Sequence, residues 1–416
     1  APGAGAAHAE AVDIIRAPRS TGSILKPLLY ALMLQEGRLL PHSLVPDVPS
    51  NINGFRPENF NQDYEGLVPA QRALIRSLNV PMVHLLQQYG LEKFHHELRA
   101  LGLHTIDQPP EHYGLTLILG GAEATLWEIA GAYAGMSRTL GHFYPNDGAY
   151  DPRDFRPPHY LSAASPTAAS AGWRREAPRL SAAALWFTFQ AMQELERPDS
   201  EGRWERFSSS RRLAWKTGTS YGFRDAWAVG VTPRHVIAVW AGNADGEGRP
   251  GLIGVQAAAP VLFDIVDLMP DGEWFRPPYD EMTRLRICRV SGFRAHPYCP
   301  ADSSWAPRAG HRAGPCPYHR QVYLSSDGAW RVHRDCSPPP ALQRVTRLVL
   351  PPLEEYYYKR QQPNYRPLPP WKPGCRTGAA DPPMQLIYPR YPTRIYLPVD
   401  LDGSPQRTVF RGANRR

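Results

Sequence analysis

The sequence predicts an α/β (α+β) domain in which helices surround an antiparallel sheet, followed by a loop-rich connector and the start of a β-sandwich. Three observations carry this reading. Apolar residues recur with helical spacing through the first half of the chain, and three β-rich runs at 213–219, 225–231 and 235–241 are separated by short turns. Composition then changes sharply after residue 272.

The elements follow in order. Residues 23–37 read as a helix: Leu25, Leu28, Leu29 and Leu32 share one face, Pro27 lies in the first turn and Gly37 stops it. Residues 67–101 are helical material broken at Asn79-Val80-Pro81, because a residue before proline resists the helical backbone. Thr125-Leu126-Trp127-Glu128 is a capping box that opens a helix reaching about residue 140. Residues 142–180 are turn-rich, and Ser181 caps a further helix that ends at Pro198. The β-rich runs form an antiparallel meander, and 254–269 returns to helix. Together these define a first domain over 1–272. Pro-Pro repeats, Tyr356-Tyr357-Tyr358 and the cysteines mark 273–380 as a connector. Alternation of Ile387, Ile395, Tyr396, Leu397 and Val399 marks 384–416 as the first strands of an all-β module.

Composition excludes several functions. The chain of 416 residues carries a net charge of +8, but only five of its 47 basic residues are lysines and no basic run or nucleic-acid module is present. Nucleic acid is therefore not an expected partner. No stretch of eighteen apolar residues could span a membrane. Cys288, Cys299, Cys316, Cys336 and Cys375 all fall in the last third, which points to disulfides in an oxidising compartment. The short loop makes Cys299–Cys316 the first pair expected, and the odd count leaves a thiol over. No C-x-x-C pair occurs, so zinc ligation is the weaker reading of these cysteines beside disulfides, and no metal or cofactor is expected.

Chemistry is carried by three motifs: Ser23-Ile24-Leu25-Lys26, Ser77-Leu78-Asn79 and Lys216-Thr217-Gly218-Thr219. The remaining lysines form no second S-x-x-K, and no other asparagine closes an S-x-N. Helical spacing sets Lys26 one turn after Ser23, where a desolvated amine can act as base for a hydroxyl that is a poor nucleophile on its own. Ser77 and Asn79 lie at a helix break, and Lys216–Thr219 end a strand whose edge can bind an extended peptide.

S-x-x-K, S-x-N and K-T-G in this order resemble the serine acyl-transferases that react with penicillin. The flanks, Arg19-Ser20-Thr21-Gly22, Arg76 with Val80-Pro81, and Ser220-Tyr221-Gly222-Phe223-Arg224-Asp225-Ala226-Trp227, resemble the class A, bifunctional penicillin-binding proteins. The connector, with Cys-Pro-Tyr-His at 316–319 and Glu-Tyr-Tyr-Tyr at 355–358, looks like the C-terminal region of one of their subfamilies, and Tyr388 to Val409 like the start of its terminal β-sandwich.

The resemblance implies a penicillin-binding-protein/serine β-lactamase-like transpeptidase fold. It implies Ser23 as acylated nucleophile, Lys26 as its base and Ser77 as proton relay toward the leaving amine. Asn79 would hold the substrate amide. Lys216, Thr217, Gly218 and Thr219 would receive the terminal carboxylate, with the N–H groups of Ser23 and Thr219 as oxyanion hole. Implied partners are peptidoglycan stem peptides, β-lactam antibiotics and cell-wall synthesis proteins, at the periplasmic face of the inner membrane. The family's membrane anchor and glycosyltransferase domain, and the first two strands of its active-site sheet, are not in this sequence, so an open sheet edge is expected. A D,D-carboxypeptidase, a β-lactamase or a catalytically silent binding module are the competing readings. The leucine between Ser77 and Asn79 argues against a class A β-lactamase, which carries S-D-N there.

Overall fold

A computed structural model describes residues 13–160, 172–177, 179–194, 212–270, 272–337, 341–375, 384–388 and 411–414. Strand β1 (Arg19–Ser20) leads through a turn into helix α1 (Lys26–Gln35), which is buried on nearly every side. Strands β2 (Leu44–Asp47) and β3 (Gly66–Pro69) pair antiparallel and run into α2 (Ala70–Ile75), α3 (Asn79–Tyr89) and α4 (Leu91–Ala100). A short α5 (Pro110–Tyr113) and strand β4 (Glu123–Ala124), paired with β1, precede α6 (Leu126–Phe143). Thr125 and Glu128 close the expected capping box of α6, and Ser181 caps α7 (Ala182–Gln193) through the Ala184 N–H. The expected end of this last helix, at Pro198, lies outside the described residues.

The meander is β5 (Ala214–Thr219), β6 (Asp225–Val231) and β7 (Val236–Gly242), within one residue of the expected runs. Thr217 pairs with Ala228, and Ala228 with Val239. Strand alternation divides two cores. Trp227, Val229 and Val231 join a large helical core with α1, α3, α6 and α7, while Ala226 and Ala228 face α8 (Ala259–Asp267) through Leu262 and Phe263. Gly230 completes the small-residue stripe, because a Cβ there would lie 2.8 Å from Leu262. The helix expected over 254–269 is found as a π-helical turn at Gly254–Ala258 running directly into α8, with Pro260 in the first turn of α8.

The stretch expected to be loop-rich contains regular structure. Hairpin β8 (Met282–Cys288)/β9 (Ala301–Pro307), hairpin β10 (His319–Ser325)/β11 (Leu342–Leu348) and helix α9 (Pro352–Gln361) lie within it. Its strands alternate charged and apolar residues over only seven positions each, a weak signal among so many prolines. These elements pack on the first body at three glycine contacts. A Cβ on Gly37 would meet the Ala309 carbonyl, on Gly66 the α9 backbone and on Gly292 the His42 carbonyl, at 1.9, 2.3 and 1.8 Å. Leu40, Leu44 and Leu67 share small cores with Ile287, Ala306 and Leu350. Strands β12 (Met384–Tyr388) and β13 (Arg411–Asn414) pair antiparallel, and the expected strand around 395–399 lies outside the described residues.

Candidate active site

Ser23 lies one turn earlier than expected. Helix α1 starts at Lys26, and residues 21–25 form a tight turn with Ile24 N–H bonded to Thr21 O at 3.1 Å and Lys26 N–H to Ser23 O at 3.3 Å. The turn needs Gly22 in the left-handed region (φ 51°), which helix formation from Ser23 does not allow for. It is held from all sides: the Tyr133 hydroxyl donates to Ile24 O at 2.7 Å, the Trp227 indole to Ser20 O at 2.8 Å and Thr21 N–H to Ala122 O at 3.0 Å. Ser23 is half-buried while its neighbours are buried, so the fixed turn presents its side chain outward.

Ser77 caps α2. The Leu78 N–H reaches Ala73 O and the Ser77 N–H reaches Leu74 O, the two bonds of a Schellman ending. Position Ser77 is the left-handed residue of that motif (φ 55°), where glycine is favoured and a serine is strained. The chain then turns directly into α3, which starts at Asn79 rather than after the expected break, with Pro81 in its first turn. Its cap comes from a distance: Asn59 Oδ1 accepts from the Asn79 and Val80 N–H groups at 3.0 and 3.1 Å, and Asn59 Nδ2 donates to Asp47 Oδ1 at 2.7 Å. Nothing local to Asn59 marks this role, because the groups it satisfies lie twenty residues further on. Phe60 beside it meets Phe223 edge-on at 6.5 Å, joining this loop to the β5–β6 turn.

Two lysines converge on Ser77. Lys26 Nζ donates to Ser77 O at 2.8 Å and to Asn79 Oδ1 at 2.7 Å, and Lys216 Nζ donates to Ser77 Oγ at 2.8 Å and to Thr217 O at 2.7 Å. Both side chains are fully buried. Among the described residues, neither amine is paired with a carboxylate. Burial, then the charge of Lys216, holds Lys26 well below the ordinary lysine range. Burial alone brings Lys216 down to about 7. The Lys216 amine so placed exchanges protons near neutrality, which an exposed lysine does not do.

Strand β5 lies against the Ser23 turn at backbone distance. A Cβ on Gly218 would sit 3.0 Å from Thr21 O and 3.2 Å from Ser23 N, and one on Gly22 would sit 2.8 Å from Thr219 N. Glycine at both positions is what lets the strand and the turn touch. Thr219 Oγ accepts from Gly254 N–H at 3.0 Å, so its own proton remains free to donate elsewhere. Asp225 accepts from the Trp240 indole at 3.0 Å. All eight expected site residues, from Ser23 and Lys26 through Ser77 and Asn79 to Lys216–Thr219, thus lie in one constellation. Sequence reasoning missed Asn59, and Tyr133 and Trp227, which hold the Ser23 turn.

Known proteins resemble this chain in sequence and in fold. Residues 10–266 match the model of the penicillin binding protein transpeptidase domain. Penicillin-binding protein 1C of Escherichia coli is 36% identical over 258 residues, covering 62% of this chain and 30% of that protein. Penicillin-binding protein 1F of Bacillus subtilis is 31% identical over 240 residues, 55% of this chain and 31% of the relative. The chain therefore spans about a third of the length of these curated relatives. In fold it resembles penicillin-binding protein 1A of Haemophilus influenzae (TM-score 0.53, 19% identity, 72% of this chain and 49% of that one). It also resembles PonA1 of Mycobacterium tuberculosis in complex with penicillin V (TM-score 0.51, 19% identity, 69% and 77%). With its motif residues gathered around two buried lysines and the family's transpeptidase model matched over more than half its length, this chain belongs to the penicillin-binding protein transpeptidase family.

Proposed function

We propose that the chain catalyses D,D-transpeptidation of peptidoglycan stem peptides through an acyl-enzyme on Ser23. The observation that carries this reading is the pair of buried, carboxylate-free lysines meeting at Ser77 beside the Ser23 turn. Neutral Lys26 takes the proton of Ser23 Oγ, which attacks the carbonyl of the penultimate D-alanine. The developing oxyanion is received by the N–H groups of Ser23 and Thr219, brought together by Gly22 and Gly218. Ser77 passes a proton to the nitrogen of the departing D-alanine, drawing on the amine bonded to its hydroxyl. An amine of a neighbouring stem peptide then attacks the ester and returns Ser23 to its free form.

Lys216 at about 7 is half-charged near neutral pH before a substrate arrives. A substrate carboxylate arriving at Thr217 and Thr219 restores its proton, so charge appears where and when it is needed. Asn79 is occupied by Lys26 and by Glu58 O, at 2.9 Å from its Nδ2, until substrate replaces one of them. The periplasmic face of the membrane is the compartment in which this substrate is met.

The test is labelling by a fluorescent penicillin. One covalent adduct per chain, absent from Ser23→Ala and released slowly, is the expected result. Fast release would indicate a β-lactamase, transfer to water from a peptide substrate a carboxypeptidase, and no adduct a silent module.

A further inference from the structure

The cysteines do not pair as expected. Cys336 is disulfide-bonded to Cys375, and Cys299 and Cys316 are free thiols along with Cys288. The three thiols and His319 instead form a cluster whose ligand atoms all lie within 4.8 Å of one another. We propose that these four side chains bind one Zn2+ as a structural site.

The donor set argues for that ion. Three thiolates and an imidazole form a closed tetrahedral set that suits zinc, leaving no open position for chemistry. With arms of about 2.3 Å to sulfur and about 2.0 Å to nitrogen, a tetrahedron has S···N edges of ~3.5 Å and S···S edges of ~3.8 Å. His319 Nδ1 lies 3.3 Å from Cys288 Sγ and 3.4 Å from Cys316 Sγ, close to that edge. The sulfurs are also met by donors. Ser291 N–H points to Cys288 Sγ at 3.4 Å and Ser291 Oγ to Cys316 Sγ at 3.0 Å, outer hydrogen bonds of the kind that orient metal ligands. Cys288, Cys316 and His319 are buried, and Cys299 is partly exposed, which gives the ion a way in.

Local backbone explains how four residues from three places meet. Cys288 ends β8 and turns back at Gly292, whose N–H bonds to Cys288 O at 2.9 Å and whose φ is 68°. Cys299 stands just before β9, and Cys-Pro-Tyr-His delivers Cys316 and His319 three positions apart at the start of β10. The ion would tie the two hairpins into one unit that packs on the body through two small cores, Leu40 with Ile287, Ala306 and Ala313, and Leu44 and Leu67 with Leu350. Cores so small are the setting in which a metal supplies stability that burial does not. The same unit is fixed to the first body, since Leu44 N–H donates to Ser291 O at 2.9 Å. Binding takes up the three sulfurs as thiolates and releases their three protons to solvent.

Metal content of the purified chain tests this. Elemental analysis after desalting should give one zinc per chain, and cobalt added to the chelated protein should develop the intense spectrum of tetrahedral thiolate ligation. Cys288→Ser, Cys316→Ser and His319→Ala should each lose the zinc, while a Cys336→Ser/Cys375→Ser double variant should keep it. If the three ligand variants fail to fold, Cys299→Ser at the exposed corner and the wild-type cobalt spectrum still decide. Folded wild-type protein without zinc and without a cobalt spectrum would overturn the proposal, as would a disulfide between any two of Cys288, Cys299 and Cys316 or full zinc content in the ligand variants.

Discussion

Replacing Lys216 by methionine removes the amine and leaves a side chain of similar reach in the same pocket. Burial has brought the folded lysine from its ordinary 10.5 to about 7. Its folded pKa lies below its unfolded one, so between the two values the folded state binds fewer protons and stability rises with pH. Between pH 7 and pH 9 the unfolded lysine stays charged while the folded one passes from half to almost wholly neutral, so wild type gains about 2 kcal/mol over Lys216→Met. The hydrogen bonds lost to Ser77 Oγ and Thr217 O do not titrate in this range and cancel when two pH values are compared. Lys26 acts in the same direction. Its lowered pKa owes its second cause to the Lys216 charge, so in the variant it regains proton affinity and the variant gains still less with pH. Urea unfolding of both proteins at pH 7, 8 and 9, followed by circular dichroism, measures the gap. A stability difference that stays constant across those pH values, or moves the other way, refutes the claim that the site holds a desolvated lysine there.

Three further outcomes follow from the site. Lys26→Arg places a guanidinium that cannot give up its proton where a base is required, so Ser23 acylation by a penicillin should fall at least ~10²-fold, more than in Lys216→Arg; equal rates would refute the assignment of Lys26 as base. Ser77→Gly relieves the left-handed residue of the α2 ending and should raise the unfolding free energy by ~1 kcal/mol, while acylation drops because the hydroxyl between the lysines is gone. Gly22→Ala sets a Cβ 2.8 Å from the Thr219 backbone and should slow acylation by pushing β5 off the turn, with melting and acylation rate measured together.

How much of this was legible depends on where each residue's partners lie. The α6 capping box and the β5–β7 meander are local patterns and took the form expected, and the three motifs were legible as spacings although the backbone around Ser23 and Asn79 differs from that expected. Ser23 was expected inside the helix because leucine periodicity extends back to Leu25; the turn is set by Gly22 pressing on Thr219, far along the chain. Asn59 caps α3 across twenty residues, and an asparagine in a loop gives no hint of that. Cys299–Cys316 was expected from loop length alone, whereas β8, β9 and β10 bring Cys288 and His319 to the same point. Cys-Pro-Tyr-His at 316–319 carries a ligand-like spacing that the lack of a Cys-x-x-Cys pair does not exclude.

The glycine contacts between the two parts of the molecule have a mechanical consequence. Gly37 follows the end of α1 and rests on Ala309, and Ser43 Oγ and Leu44 N–H a few residues later are bonded to Gly292 and Ser291. Helix α1 is ten residues long, a stiff rod of about 15 Å whose first residue is Lys26. A load applied to the C-terminal hairpins therefore reaches the Lys26 amine through one rigid lever and not through a slack tether. Whatever grips that region grips the two-lysine site with it.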